Sequence, residues 1–159
     1  MSDLSLSARN ARILALIVPL ALLGGAYLSE YGFGLYPCEM CWWQRYPHFV
    51  AAGLALLAFV APPKRVWTGL AGLAIAVSGA IGLFHAGVEY GWWEGITGCS
   101  ATVSGTENAL EAVLNAPIIR CDVAQWDLFG ISLAGWNALI SLGSAAAIWK
   151  LLLAKGPTR

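Results

Sequence analysis

The sequence predicts an all-α membrane protein, a bundle of four transmembrane helices with a short amphipathic helix in its second outer loop. Hydrophobic residues make up 58% of the chain and charged residues only 11%, whereas a soluble domain carries about 25% charged residues. The mean hydropathy is +0.68. Four long apolar stretches alternate with polar segments, and lipid cannot satisfy open backbone groups, so each stretch is expected to be a helix. We expect a single domain over residues 1–159.

The first span is predicted over about residues 13–31, because no charged residue lies between Ile13 and Ser29. A helix needs about 20 residues to cross the hydrocarbon core of a bilayer. A cleaved signal peptide is the alternative, since the small residues Gly24 to Ala26 follow the apolar core. The length of the stretch and the three later spans favour a retained helix.

The second span is predicted over about residues 43–61. Its uncharged part is short, so we expect Arg45 to snorkel to the interface. The third span is predicted over residues 66–88 and the fourth over residues 128–150. Glycine is frequent in these stretches, and small residues let helices approach closely in lipid.

The second outer loop, about residues 89–127, is the longest polar segment. Its Ser104–Glu107 sequence fits a capping box, in which a hydroxyl is followed three residues later by a carboxylate. Leu110 and Leu114 follow at helical spacing, and Pro117 ends the pattern. The segment predicts a short amphipathic helix that lies either on the outer leaflet or against the protein.

The distribution of basic residues predicts that both termini lie in the cytoplasm. The loops that carry the cysteines then face the opposite side, which in a bacterium is the oxidising periplasm. A eukaryotic lumen would fit the same pattern. We therefore expect a multi-pass membrane protein in contact with lipid, which the family resemblance given below assigns to the bacterial inner membrane, and the net charge of zero gives no indication of a nucleic-acid partner. Seven of the nine basic residues lie in the two tails or in the turn between the second and third stretches: Arg9, Arg12, Lys64, Arg65, Lys150, Lys155 and Arg159.

The four cysteines indicate dithiol–disulfide chemistry, because paired thiols on one side of a membrane suit electron transfer. Cys38 and Cys41 form a Cys-x-x-Cys motif. Haem attachment would need His after the second cysteine, where Trp42 stands. A zinc site is disfavoured because Cys99 and Cys121 are 22 positions apart and form no second knuckle, so no metal is expected. Two structural disulfides remain an alternative, although helices in lipid do not need such cross-links.

The sequence around Cys41 favours a reactive thiolate over a purely structural cysteine. It is expected at the start of a membrane helix, where the helix dipole favours a thiolate. Arg45 follows four residues later, so one helical turn brings its guanidinium near that sulfur. The same guanidinium could hold a carbonyl oxygen of a membrane-soluble oxidant, and the alternative for Arg45 is a simple interfacial anchor.

The chain resembles the disulfide bond formation protein B (DsbB) family over its four spans, both outer loops and all four cysteines. One motif is Cys38-x-x-Cys41 followed by Gln44-Arg45. The other is Cys121-x-x-x-Gln125-Trp126-Asp127, which leads through Gly130 into the last span. Some members of that family have Glu at the position of Gln44, and the segment between Cys99 and Cys121 varies in length among them.

This resemblance implies a membrane oxidoreductase that reoxidises a soluble, periplasmic, thioredoxin-like thiol oxidase (DsbA-like) and passes the electrons to ubiquinone or menaquinone. It implies that Cys99 and Cys121 form the disulfide offered to the partner, with Cys99 taking up the partner's sulfur. Cys38 and Cys41 would reoxidise that pair through a transient Cys38–Cys121 link. Cys41 and Arg45 would contact the quinone.

Two polar residues near the outer end of the third span are further candidates. His85 and Glu89 are four residues apart, so they could supply protons to a reduced quinone or form a polar pair that faces the bundle. His48 has the same ambiguity. Two other functions remain open for the whole chain: a membrane scaffold with structural disulfides, and a quinone-linked disulfide reductase of the vitamin K epoxide reductase type.

Overall fold

The computed structural model describes residues 6–97, 100–101 and 118–154, and in this part the chain forms four helices and two short antiparallel strand pairs. The four predicted helices are thereby confirmed. The helices are α1 (Leu6–Phe33), α2 (Glu39–Val60), α3 (Lys64–Glu89) and α4 (Leu133–Leu153). The strands are β1 (Ser100–Ala101), β2 (Ile118–Ile119), β3 (Asp127–Leu128) and β4 (Ile131–Ser132).

The helices pack side by side in a closed bundle. Helix α3 has its most extensive contacts with α2 and α4, and α1 closes the ring by packing against both of those helices. Small side chains fill the centre, including Ala11, Ala51, Ala55 and Ala71, which are fully buried. Small residues allow the close helix approach that stabilises bundles in lipid.

The exterior of the bundle is apolar, as expected for a surface that faces lipid. Large hydrophobic side chains such as Leu20, Leu56, Leu73 and Leu139 are about half exposed. Within the described residues, three helices are long and apolar enough to cross a membrane, namely α1, α3 and α4. Helix α2 is not among them, because polar residues occupy its first three turns.

The predicted start of the fourth span at residue 128 is five residues too early. Strands β3 and β4 form a tight hairpin over residues 127–132, with Phe129 and Gly130 at positive φ in its turn. The side chain of Ser132 then caps α4 by accepting a hydrogen bond from the Gly135 N–H at 3.1 Å. Hydropathy does not distinguish this hairpin from the first turn of a helix, because the turn depends on the backbone angles of Phe129 and Gly130.

Helix α1 continues to Phe33, slightly beyond the predicted end of the first span near residue 31, and therefore contains Glu30. In the second outer loop, Ser100 pairs with Ile119 and Ala101 with Ile118. The amphipathic helix predicted between Ser104 and Pro117 lies outside the described residues, as does Cys99.

The two ends of the bundle differ in chemistry. At one end, Arg12 donates to the carbonyl of Ala58 at 3.2 Å and Arg65 donates to the carbonyl of Leu152, so basic residues hold the helix ends together. Cys38, at the start of α2, lies at the opposite end.

Candidate active site

Cys38 and Cys41 are brought together by the first turn of α2. Cys38 is the N-cap residue, and its sulfur accepts a hydrogen bond from the Cys41 N–H at 3.3 Å. The two sulfur atoms are 2.9 Å apart, longer than the covalent distance of about 2.05 Å, so both cysteines are thiols here. The hydrogen bond with Cys41, together with burial, raises the pKa of the Cys38 thiol to about 12.

Cys121 lies against this pair. It belongs to the same buried cluster as Cys38 and Met40. Burial raises the pKa of the Cys121 thiol. Three of the four cysteines predicted as site residues therefore converge at one end of the bundle, while Cys99 lies outside the described residues.

His85, predicted as a candidate site residue, faces the same thiols from the last turn of α3. Its Nε2 is 3.6 Å from the Cys38 sulfur and 3.7 Å from Glu89 Oε1. The ring is almost fully buried. Glu89 is held in turn by the Ser132 hydroxyl, which ties the end of α3 to the start of α4. His85 and Glu89 thus face the bundle interior and belong to the cysteine cluster.

A buried polar network continues inward from His85. The Gln44 side-chain nitrogen is 2.9 Å from His85 Nδ1, and the Gln44 oxygen accepts from Asn137 Nδ2 at 2.8 Å. Asn137 Oδ1 is 3.0 Å from His48 Nε2 and accepts from the Ser141 hydroxyl at 3.0 Å. These contacts connect α2, α3 and α4 across the bundle.

Arg45 is buried, so the prediction that it snorkels to the interface is wrong. Its guanidinium donates to Glu30 at 2.6 Å and to the carbonyl of Ala26 at 3.3 Å. The rings of Tyr27 and Trp42 lie over it, with centroids 5.0 and 4.8 Å from Cζ. A carboxylate on the neighbouring helix makes burial of the charge favourable, because a paired charge need not reach water.

A cavity of about 250 Å³ opens beside these groups. Its walls are largely apolar and come from α1, α2, the outer loops and the first turn of α4, and Cys41, Arg45 and His48 are among the lining residues. His48 Nδ1 is buried and has no hydrogen-bond partner among the described residues. The cavity therefore combines apolar walls with a few polar groups, as small-molecule sites do.

The loops at this end are connected by hydrogen bonds. Gln125 donates to the carbonyl of Tyr36 at 2.8 Å and so connects the second outer loop to the first. Asp127 accepts from the Gly130 N–H at 3.2 Å and closes the β3–β4 turn. Near Cys121, the Arg120 guanidinium lowers the pKa of the exposed Asp122 carboxyl.

Sequence reasoning missed two functional neighbours, Glu30 and Asn137. Glu30 is the first acidic residue after the opening apolar stretch, and Arg45 is the lone cation in the second. Isolated opposite charges in neighbouring spans usually pair, so this pattern was a usable signal. Asn137 gave none, because its inward direction depends on the rotation of α4 in the bundle.

The bundle has an apolar surface, and three thiols, a histidine and a cavity lie together at one of its ends. These features define the class of the protein as a membrane protein with a cysteine-based site. Comparison with known proteins gives its family. The model of the family described as "Disulfide bond formation protein DsbB" matches residues 8–151, so the chain belongs to the DsbB family. That family forms disulfide bonds, which makes the protein a disulfide-forming oxidoreductase.

Individual relatives agree with this assignment. The chain is 30% identical over 137 residues to disulfide bond formation protein B of Marinobacter nauticus, covering 79% of this chain and 80% of the relative. It is 31% identical over 158 residues to the protein of the same name from Azoarcus sp., covering 90% and 93%. No solved structure matches the chain.

Proposed function

We propose that the protein is a quinone-dependent dithiol oxidase of the bacterial inner membrane, which reoxidises a soluble, periplasmic, thioredoxin-like oxidase of the DsbA type. The observation that carries this proposal is the position of Cys38. Its sulfur lies 2.9 Å from that of Cys41, and its side chain belongs to the same buried cluster as Cys121. One sulfur can therefore exchange with either neighbour.

In the proposed relay, each step breaks one disulfide and forms another. A partner thiolate attacks Cys99 of the Cys99–Cys121 disulfide and releases Cys121 as a thiolate. The second partner thiol then resolves the mixed disulfide, leaving an oxidised partner and two reduced cysteines. Cys121 attacks Cys38 of the Cys38–Cys41 disulfide and releases Cys41, after which Cys99 attacks Cys121 and restores its own disulfide. Two electrons have then moved to Cys38 and Cys41.

The cavity fits a quinone head group. Apolar walls suit its ring, and the Arg45 guanidinium offers N–H donors to a carbonyl oxygen. His48, whose Nδ1 has no hydrogen-bond partner among the described residues, also lines the cavity. A quinone bound there would supply an acceptor for two electrons and two protons, and Cys41, which lines the cavity, would deliver the electrons. His85 and Glu89 are placed beside the thiols as proton-holding groups.

The proposal includes a fourth span and a defined orientation. Helix α2 has 22 residues and is therefore about 33 Å long at about 1.5 Å per residue, enough to cross the hydrocarbon core. Its polar residues Gln44, Arg45 and His48 all face inward, so they need not contact lipid. The basic end of the bundle then lies in the cytoplasm and the cysteine end in the periplasm.

Purified protein in detergent tests the proposal directly. The protein is mixed with a reduced thioredoxin-like oxidase and with ubiquinone or menaquinone. One quinone should then be reduced for each pair of partner thiols that is oxidised. The Cys41→Ser variant should oxidise at most one equivalent of partner and then stop. The proposed function would be contradicted if partner thiols were lost while no quinone was consumed. It would also be contradicted if the protein preferred the reverse reaction, in which added quinol reduces the partner's disulfide.

A further inference from the structure

The cysteine cluster brings together three atoms of the kinds that bind metal ions. The sulfurs of Cys38 and Cys41 and a ring nitrogen of His85 all lie within 4.8 Å of one another. With Zn–S bonds of about 2.3 Å and Zn–N bonds of about 2.0–2.1 Å, tetrahedral sulfur and nitrogen ligands lie about 3.6 Å apart. The Cys38 sulfur and His85 Nε2 are 3.6 Å apart. The two sulfurs are 2.9 Å apart, shorter than the distance of about 3.8 Å between two tetrahedral sulfur ligands at about 2.3 Å. The Cys41 side chain would therefore have to rotate before the cluster could hold a thiophilic cation such as Zn²⁺ or Cd²⁺.

The hydrogen bonds of Gln44 decide which ring nitrogen of His85 carries the proton. The Gln44 side-chain nitrogen lies 3.1 Å from the carbonyl oxygen of Met40. A carbonyl oxygen only accepts, so this atom must be the amino group. The same nitrogen lies 2.9 Å from His85 Nδ1 and directs its second hydrogen there. Nδ1 therefore accepts, and the proton of the neutral ring is on Nε2.

Asn137 prevents the Gln44 amide from turning over. The Asn137 side-chain nitrogen lies 3.2 Å from the carbonyl oxygen of Ser78, so its direction is also fixed by an atom that only accepts. That nitrogen donates to the Gln44 oxygen at 2.8 Å. A flip of either amide would place an amide oxygen against a backbone carbonyl oxygen.

The protonated Nε2 of His85 is surrounded by acceptors. The Cys38 sulfur lies at 3.6 Å and Glu89 Oε1 at 3.7 Å. A nitrogen that carries a proton has no lone pair to offer a cation. We propose that Gln44 and Asn137 are positioning residues that hold the His85 proton on Nε2, so that His85 donates to the Cys38 sulfur and the cluster is closed to metal ions.

This arrangement matters for the reduced protein. A thiolate is both the nucleophile in disulfide exchange and a ligand for soft metals, so a bound cation would occupy the sulfurs that must react. Without its nitrogen ligand, the Cys38–Cys41 pair forms only half of a tetrahedral site. The fixed tautomer thus keeps the reduced pair available.

The substitution Gln44→Glu tests the proposal by reversing the hydrogen bond. A carboxylate accepts a hydrogen bond from Nδ1–H and so favours the tautomer with its proton on Nδ1. That tautomer leaves the Nε2 lone pair free and builds the carboxylate–histidine–metal arrangement that supports metal binding. The full chain in detergent, carrying Cys99→Ser and Cys121→Ser and reduced with a phosphine, is titrated with Cd²⁺. Ultraviolet sulfur-to-cadmium absorption should report binding that is about 10- to 100-fold tighter in the Gln44→Glu protein than in its parent. Adding His85→Ala should remove the gain.

A second measurement on the metal-free proteins reads the tautomer itself. The chain has two histidines, and ¹⁵N NMR with His85→Ala as the assignment control should find the His85 proton on Nε2 in the parent and on Nδ1 in Gln44→Glu. A parent ring protonated at Nδ1 would overturn the proposal, as would His85-dependent Cd²⁺ binding of equal strength in both proteins. Neither quinone nor partner is present, so failure here would leave the proposed function standing.

Discussion

The ion pair between Glu30 and Arg45 couples the stability of the protein to its proposed quinone site. Both side chains are largely buried, and removal of one partner leaves the other charge unpaired, which typically costs about 3–5 kcal/mol. We expect Glu30→Gln to lower the unfolding temperature in detergent clearly. Arg45→Met should also lower the unfolding temperature, and it should slow quinone reduction. The kinetics of this single variant would therefore combine a loss of stability with the loss of a quinone contact.

The double variant Glu30→Gln/Arg45→Met separates these effects. It carries no unpaired charge and should recover most of the lost stability, yet it still lacks the guanidinium. We expect quinone reduction to remain impaired by about 1.5–3 kcal/mol of transition-state stabilisation, the value of one charge-assisted hydrogen bond. Normal quinone kinetics in the stable double variant would return Arg45 to a purely structural role.

The thiol of Cys38 should ionise at unusually high pH in the reduced protein. Its pKa is raised to about 12 from a usual value of 9.0, first by the hydrogen bond with Cys41 and then by burial. Between pH 9 and 12 the folded state keeps the Cys38 proton while the unfolded state loses it. The contribution of this thiol to the free energy of unfolding is therefore complete below pH 9 and is lost as the pH rises towards 12. The rate of alkylation at Cys38, read by mass spectrometry, should therefore keep rising above pH 9.

The Cys41→Ala variant is the matched control for this pH dependence. It removes the hydrogen bond that is the largest cause of the shift, so the rise in alkylation should move to lower pH while burial of Cys38 still slows the absolute rate. A plateau near pH 9 in both proteins would show that Cys41 does not hold the Cys38 proton.

Helix α3 approaches the amide pair closely because residue 82 is glycine. A Cβ at Gly82 would lie 2.9 Å from Asn137 Nδ2 and 3.1 Å from Gln44 Oε1. Overpacking of this kind costs about 1–3 kcal/mol, so Gly82→Ala should destabilise the bundle and impair oxidase activity. Gly24→Ala is the control, since a Cβ there meets nothing within 4 Å. Equal melting temperatures and activities for both variants would mean that α3 and α4 are free to separate.

The sequence predicted the helices better than it predicted their contacts. Apolar runs indicate each helix because lipid forces backbone hydrogen bonding within a segment, and the Cys-x-x-Cys motif was correctly expected at the start of α2. The beginning of α4 was misplaced because residues 128–132 are apolar but turn at Gly130. The partners of Arg45 and Gln44 lie on other helices, and sequence hydropathy does not encode the rotation that brings them together.

For the molecule as a whole, the uneven charge at the two ends predicts its orientation in the membrane. Reporter fusions after Pro63 and at the C-terminus should read cytoplasmic, because the turn and the tail carry most of the basic residues. A fusion near Tyr36 should read periplasmic. A periplasmic C-terminus would place the thiols in a reducing compartment, where stable disulfides are rare, and would remove the basis of the proposed relay.

The proposed electron path can be dissected by removing one cysteine at a time. In Cys121→Ser, Cys99 has no internal disulfide partner. With an added oxidant and a soluble partner that keeps only its attacking cysteine, neither protein has a second thiol beside the Cys99 mixed disulfide to resolve it, so a covalent complex should accumulate on a non-reducing gel. Cys99→Ser should form no such complex through that position. In Cys41→Ser, Cys38 retains its contact with Cys121 but lacks the partner thiol 2.9 Å away. Steady quinone turnover by Cys41→Ser would therefore show that electrons reach quinone by a route that bypasses the Cys38–Cys41 pair.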